Sequence, residues 1–406
     1  GRLYVRPHRD ADPNAVRYEV AQRRQFIRIT DKSNIVISGL EFRYNDGDDG
    51  QRRDNTRHNT RASHCILAAG TCANIVVKNC SFFYIADAFE ARLHKNPGRG
   101  GSEGAVMDNI IFSDNDVREA SGAGIVTIMG PHRHPIFPKD TEYGDLLHVE
   151  VMRNRFRNTG FRGSLARWDS LPAISVHLPE TCEIAGNIVD TSMGIGIITY
   201  GGKASGDRDR TVPLIRYLIH HNQIDNTMLG ANDYGGLEHF QGGPTYIYNN
   251  VSRNCVGNRS FWNHPLGYNL YLDGGFKCYA FNNILVGMRP DQADYPDHYG
   301  HCGYFMVFGF LDQFFNNTLC RFENGLDGSS GNRSNILGNL LADCRNTFIR
   351  QNRPGDHSML GGGDTGQMGR MGIPTMAYDS NVFYGSPNTF GQVAGTRQVG
   401  RRKAPV

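Results

Sequence analysis

One short phrase returns along this chain at irregular intervals: a brief apolar or alternating run, then asparagine, then one or two apolar residues. It reads DNIIFSDNDV, VEVMRNRF, CEIAGNIV, LIHHNQI, TYIYNNV, CYAFNNIL, QFFNNTL, NILGNLL and AYDSNVF. The asparagines are Asn115, Asn154, Asn187, Asn222, Asn250, Asn283, Asn317, Asn339 and Asn381. Two earlier phrases, NIVISGLEF and NIVVKNCSF, put Leu40 and Cys80 at the equivalent point. From Leu40 the successive spacings are 40, 35, 39, 33, 35, 28, 33, 34, 22 and 42 residues. The unit is constant and the spacer is not. Alternation dominates, and helical periodicity is almost absent.

A unit that repeats while its spacer varies fits a coil of stacked strands. Each turn lays its strand on the last, about 4.8 Å away, with like side chains in register. A buried Asn at a turn bonds the backbone of its own and neighbouring turns and builds a ladder. The expected fold is all-β, a right-handed parallel β-helix of ten to eleven turns with an Asn ladder and long edge loops. It forms one domain over 1–406: a cap over 1–33, helix turns over 34–384 and a polar, basic tail over 385–406. The long loops fall at 44–64, 91–106, 130–145, 202–212, 288–301 and 352–375.

Composition excludes several other classes. Gly contributes 49 of 406 residues, about 12% against a usual ~7%. No G-X-Y period accompanies it, so the chain is not collagen. Glycine is expected at the corners, where φ > 0 is often required. Lys and Arg total 43 against 40 Asp and Glu, a net charge of +3, which argues against nucleic acid as a partner. No apolar run is long enough to span a membrane as a helix. The opening, GRLYVRP, shows no signal peptide and looks like a mature or trimmed start, and the expected setting is extracellular or periplasmic. Oligomeric state is not legible. The nine Cys are odd in number and lack C-x-x-C, so they read as small buried hydrophobes, with room for one disulfide.

The stretch 231–275 concentrates the groups that chemistry needs: Asp233, Tyr234, Glu238, His239, Trp262, His264, Tyr268, Tyr271 and Asp273. Aligning Asn250 with Asn283 lays GGLEHFQGG beside YNLYLDGG with one residue of slack. Glu238 and His239 then fall next to Tyr271, and Asp273 next to Phe240 or Gln241. The catalytic candidates Asp233, Glu238 and Asp273 converge on one face. Paired carboxyl groups are what glycoside hydrolysis requires: one protonates the leaving oxygen, the other attacks or activates water. The bland alternative is that both aspartates are ordinary Asp-Gly turn residues. Earlier turns place Thr127, His177 and Tyr200 in line with Glu238 and Tyr271. His301 enters from the next loop, and Trp262 beside His264 forms a groove wall. Tyr234, His239, Tyr271, Trp262, His264, His177, Tyr200 and His301 are therefore the candidate sugar contacts.

Other features carry less. DGDDG at 46–50 has the hard oxygen ligands of a calcium loop but lacks its bidentate Glu, and reads better as a solvated acidic turn. No metal or cofactor is expected at the active site, and structural calcium at this turn is the sole candidate. HRH at 132–134 lacks a nameable third ligand. Arg162, Arg167 and Asp169 line a groove or pair on the surface. RRK at 401–403 reads as tail. The N-x-[ST] motifs at Asn79 and Asn316 belong to the strand repeat, and no glycan is inferred.

NDYGGLE followed by LYLDGG, forty residues on from Asp233 to Asp273, resembles the paired Asp motifs of right-handed β-helix glycoside hydrolases. The nearest is glycoside hydrolase family 141, with its α-L-fucosidases and xylanases. RLYVRP and RRQFIRITDKSNIVISGLEF also resemble the strand entering such helices. The resemblance implies that Asp233 and Asp273 match the two catalytic aspartates. This chain departs in having Leu-Glu-His after Gly-Gly, where an aliphatic–aromatic pair is more familiar, which makes Glu238 a third candidate. Polygalacturonase motifs (N-T-D, D-D, G-H-G, R-I-K) and the Arg-Pro-x-x-Arg run of pectate lyases are absent. The expected function is hydrolysis of a plant or algal polysaccharide or oligosaccharide. The alternatives are a lyase or epimerase recruiting Lys203, Arg162 and His239, and a non-catalytic carbohydrate-binding or structural solenoid.

Overall fold

Every asparagine of the repeat stands in one ladder. In a computed structural model, Oδ1 of Asn154 accepts from the Asn115 backbone N–H at 3.0 Å and from its Nδ2 at 3.1 Å. Asn154 Nδ2 donates in turn to Phe112 O and to Asn187 Oδ1, both within 3.0 Å. The same pattern repeats through Asn187, Asn222, Asn250, Asn283, Asn317 and Asn339 to Asn381. The ladder saturates amides that would otherwise be buried at a cost of about 1–3 kcal/mol for each unmade bond. Cys80 joins it through its backbone N–H, which donates to Asn115 Oδ1.

The structure describes residues 12, 15, 23–45, 63–93, 105–122, 126–129, 145–161, 172–201, 216–258, 266–287, 300–307, 309–328, 331–351 and 376–393. All the main strands pair in parallel, in three long sheets that wind as a right-handed parallel β-helix. Each ladder residue is followed by a strand of the third sheet, and that sheet has eleven strands, matching the eleven positions read from the sequence. The first sheet has twelve strands, one more than the expected ten to eleven turns. Its opening strand, Ile27–Thr30, lies inside the stretch expected to be a cap, and its last, Thr389–Val393, lies inside the expected tail. Of the six long loops, most residues lie outside the described ones, as do the DGDDG turn, HRH at 132–134, Arg162, Arg167, Asp169 and RRK at 401–403.

The corners correct one expectation. The residue before each ladder position has positive φ, yet Gly fills only three of the eleven, Gly39, Gly186 and Gly338. Asn79, Asp114, Asn249, Asn282 and Asn316 take five more, and Arg153, His221 and Ser380 the rest. Short polar side chains that bond locally tolerate this conformation, so the glycine excess must be explained elsewhere.

Alternation along each strand sends one set of side chains into the coil. In the first sheet, Ile66, Phe89, Val126, Ile174, Ile197, Leu237 and Leu270 form one continuous inward column, all buried. Each such residue is worth about 1.5–3 kcal/mol on burial. The third sheet adds Phe42, Phe82, Val117, Phe156, Val189 and Ile224. All nine cysteines are free thiols, and eight are buried.

Candidate active site

The neighbouring strands Tyr234–Gly242 and Gly267–Gly275 of the first sheet carry the candidate site. Glu238 lies opposite Tyr271, and Phe240 opposite Asp273. Leu237, Leu270 and Leu272 point into the core, so Glu238, Phe240, Tyr271 and Asp273 take the outer face. Gly235 pairs with Tyr268, whose ring returns to the same outer face and stacks on Phe305, centroids 4.2 Å apart.

Asp233 precedes the first of these strands with φ of 67°, a left-handed conformation that Asp tolerates. Its amide donates to Leu266 O at 2.8 Å, and buried Asn232 accepts the Leu266 amide at 2.5 Å. This double tether fixes Asp233 at the edge of the strand pair. The Glu238 side chain turns back, and its Oε2 accepts the Gly235 amide at 2.9 Å. Glycines serve this geometry. A Cβ on Gly235 would lie 2.5 Å from Leu237 O and 3.0 Å from Tyr271 Cβ. One on Gly236 would meet Ser252 Oγ at 3.0 Å.

The three carboxyl groups sense one another. Burial, together with the charges of Asp273 and Asp233, pushes Glu238 far above the usual carboxylate range, against the pull of the Gly235 amide. Burial first, and then Asp233, raises Asp273 to about 7, while a hydrogen bond from Tyr271 opposes the rise. Burial and the same carboxylates drive the Tyr271 phenol well above its ordinary value. The site therefore holds two acids that keep their protons at mildly acidic pH, beside a third, half-buried carboxyl.

The other candidates distribute unevenly. His177 stacks on Tyr200 with centroids 4.0 Å apart, and Tyr200 meets Phe240 edge-on at 5.4 Å. Their register puts them in the column of Phe240 and Asp273, two residues along from the column of Thr127, Glu238 and Tyr271. They were expected with Glu238, and the strand period of two leaves them on the correct face. Tyr234 packs with Tyr200 and Phe240 around Ile198 and Met228. His301 lies 5.7 Å from Tyr268, ring to ring. Trp262 and His264 lie outside the described residues, as do Lys203 and Arg162, the proposed cations of a lyase.

His239 is corrected outright. It sits in the inward column between Thr199 and Leu272 and is fully buried. Its ring meets Thr199 Oγ1 at 2.9 Å, Thr245 Oγ1 at 3.1 Å and Gly242 O at 3.1 Å. Burial lowers it to about 4, so it is a neutral core histidine and not a sugar contact.

Phe240 stands beside Asp273 as the alignment placed it, and three neighbours escaped the sequence reading: Phe305, Asp327 and Arg350. Phe305, Asp327 and Arg350 continue the Glu238–Tyr271 column. Leu-Asp-Gly at 326–328 copies Leu-Asp-Gly at 272–274, but Leu326 aligns with Leu270, so Asp327 shares the column of Tyr271 and not of Asp273. Among the described residues no group of three or more His, Cys, Asp or Glu is arranged to hold a metal ion.

No protein-family model matches the chain, and no curated protein matches it at a significant level. Among solved structures, the periplasmic alginate epimerase AlgG is similar over 81% of this chain and 75% of its own, at 8% identity and a TM-score of 0.40. A hyperthermoactive exopolygalacturonase from Thermotoga maritima is similar over 80% and 72%, at 13% identity and a TM-score of 0.34. Likenesses this distant carry no argument about the site. The resemblance to glycoside hydrolase family 141 therefore rests on sequence, with residues 231–275 its only part specific to the active site.

Proposed function

We propose that this protein is a glycoside hydrolase of an extracellular or periplasmic setting, cleaving a plant or algal polysaccharide or oligosaccharide. Asp273 serves as general acid, and Asp233 as nucleophile or base. The observation that carries the reading is that Asp273, on the outer face of one strand, lies within electrostatic reach of Asp233, which stands at the entry of the neighbouring strand from the adjacent turn. A carboxyl held near 7 keeps its proton at working pH and can give it to a departing glycosidic oxygen. Its neighbour Asp233 then acts on the anomeric carbon or on water. Tyr271 sits two residues before Asp273 on the same face and draws its carboxyl downward by hydrogen bonding. Glu238, the third candidate, is almost wholly buried and holds the Gly235 amide, which suits a positioning role behind the other two. His177, Tyr200 and Phe240 extend along the same face and offer rings for sugar stacking.

The test is release of reducing ends from a panel of glycans. Asp233→Asn and Asp273→Asn should each lower the rate by roughly 10²–10⁴-fold. Full activity in both variants would end the assignment.

One observation favours a lyase or epimerase as the second reading. Tyr268 faces His301 and lies within electrostatic reach of Arg350, a set able to move a proton beside a bound uronate. Absorbance from a new C=C bond, or solvent deuterium entering the polymer without chain cleavage, would favour it over hydrolysis.

A further inference from the structure

Two arginines stand on the outer face of the first sheet, on either side of the carboxyl cluster. Arg92 stands in the column that runs on through Met129, His177, Tyr200 and Phe240 to Asp273, five strands away, or about 24 Å. Arg350 lies three strands beyond Tyr271 on the other side, about 14 Å.

Both are built alike. Arg92 Nη1 donates to Glu90 Oε1 at 3.1 Å, and Arg350 donates through Nε and Nη2 to Asp327 Oδ2. In each pair the carboxylate is nearly sealed, with side-chain exposures of 7% for Glu90 and 2% for Asp327. The arginines keep 21% and 27%. A guanidinium has five N–H donors, and these carboxylates engage one in Arg92 and two in Arg350. What remains is a planar fork, oriented from behind by a buried anion. That is the geometry that receives a carboxylate or a sulfate in a bidentate manner. Glu90 is itself held by buried His64, and contact with that imidazolium and with Arg92 keeps it ionised down to about 2 despite its burial.

We propose that this outer face takes an anionic glycan, gripped through carboxylate or sulfate groups by Arg350 on one side of the carboxyl cluster and Arg92 on the other. The inference deepens the hydrolase reading and rests on it for the identity of this face as the glycan-binding one. Two of the three acids between the arginines, Glu238 and Asp273, hold their protons at mildly acidic pH and add no negative charge against such a ligand there.

Affinity electrophoresis of the full chain at low ionic strength tests this, with polygalacturonate, dextran sulfate and neutral xylan in parallel gels. Retardation by one or both anionic polymers and not by xylan is expected, and which of the two retards names carboxylate or sulfate as the group read. Arg350→Gln and Arg92→Gln should each weaken that binding about tenfold, and Arg350→Lys should recover part of it. Melting curves establish that the variants are folded. Because the arginines lie on strands far apart, the loss of one variant to misfolding leaves the other to decide. Xylan binding at least as tight as both anionic polymers, or folded Gln variants that bind like the parent, would overturn the proposal. The hydrolase reading fails separately, if anionic polymer is bound but Asp273→Asn releases reducing ends as fast as the parent.

Discussion

Glu238 and Gly235 close on each other within a single strand, the Gly235 amide donating to Glu238 Oε2 at 2.9 Å. The contact folds the Glu238 carboxyl back beneath the point where Asp233 enters. It also requires a residue without a side chain, since a Cβ at 235 would collide with Leu237 O and Tyr271 Cβ.

Gly235→Ala should therefore injure the site more than the fold. The strand must shift by several tenths of an ångström, and Asp233 and Glu238 shift with it. Misplacement on this scale costs on the order of 10²-fold in rate. The expected outcome is a loss of at least tenfold in glycan turnover with an unchanged far-ultraviolet circular dichroism spectrum. Parent-like turnover would show that the tether does not position the acids.

The ladder predicts a gradient of stability. Asn222→Ala removes the acceptor of the Asn187 N–H and Nδ2 in the middle of the coil, at a cost of roughly 3 kcal/mol. Asn381→Ala acts at the half-buried final rung, where water can replace the lost bonds, and should cost about 1 kcal/mol. Thermal melts of the two variants should rank in that order, and equal shifts would argue against the ladder as the principal fastening.

His239 should behave as a core residue. Its folded value of about 4 lies below the unfolded 6.5, so the unfolded chain binds more protons between those values. Stability then falls as pH drops from about 6.5 toward 4, by up to about 3 kcal/mol. In His239→Gln that slope should flatten, while affinity for glycan stays that of the parent. Weakened glycan binding at pH 7 in the folded variant would return His239 to the groove.

Asp312 supplies the opposite sign. It is fully buried, accepts the Cys278 amide at 2.9 Å, and is raised by burial from 3.8 to about 7. The stability tied to its neutral form is complete below about 3.8 and is lost as pH rises through about 7, on the order of 4 kcal/mol at the limit. Asp312→Asn should raise the melting temperature relative to the parent more at pH 8 than at pH 5. An equal change at both would mean that Asp312 is not carrying a buried charge.

The solenoid was legible because its determinant is local and repeated. Each ladder Asn sits one residue before a third-sheet strand, so the turns could be read from Asn115 to Asn381 without any knowledge of the loops. The pairing of Glu238 with Tyr271 followed from the same register. The reading lost accuracy where side-chain parity mattered. His239 looked like its neighbour Glu238, yet one residue along a strand reverses the face. His177 and Tyr200 were assigned two residues out because the first-sheet strands lie far from the ladder that set the alignment. Arg350 and Asp327 were missed because nothing in the sequence marks a pair separated by 23 residues as adjacent. The corner glycines were over-read, since Asn and Asp supply five of the eleven left-handed corners and Gly only three.

The central claim is that Asp233 and Asp273 form one electrostatic unit on the outer face of the coil. A titration of the Asp273 carboxyl carbon by ¹³C NMR, in the parent and in Asp233→Asn, measures it without any assumption about substrate. The account predicts a midpoint near 7 in the parent that moves downward once the charge at 233 is removed. A midpoint near 4 in both proteins would contradict it.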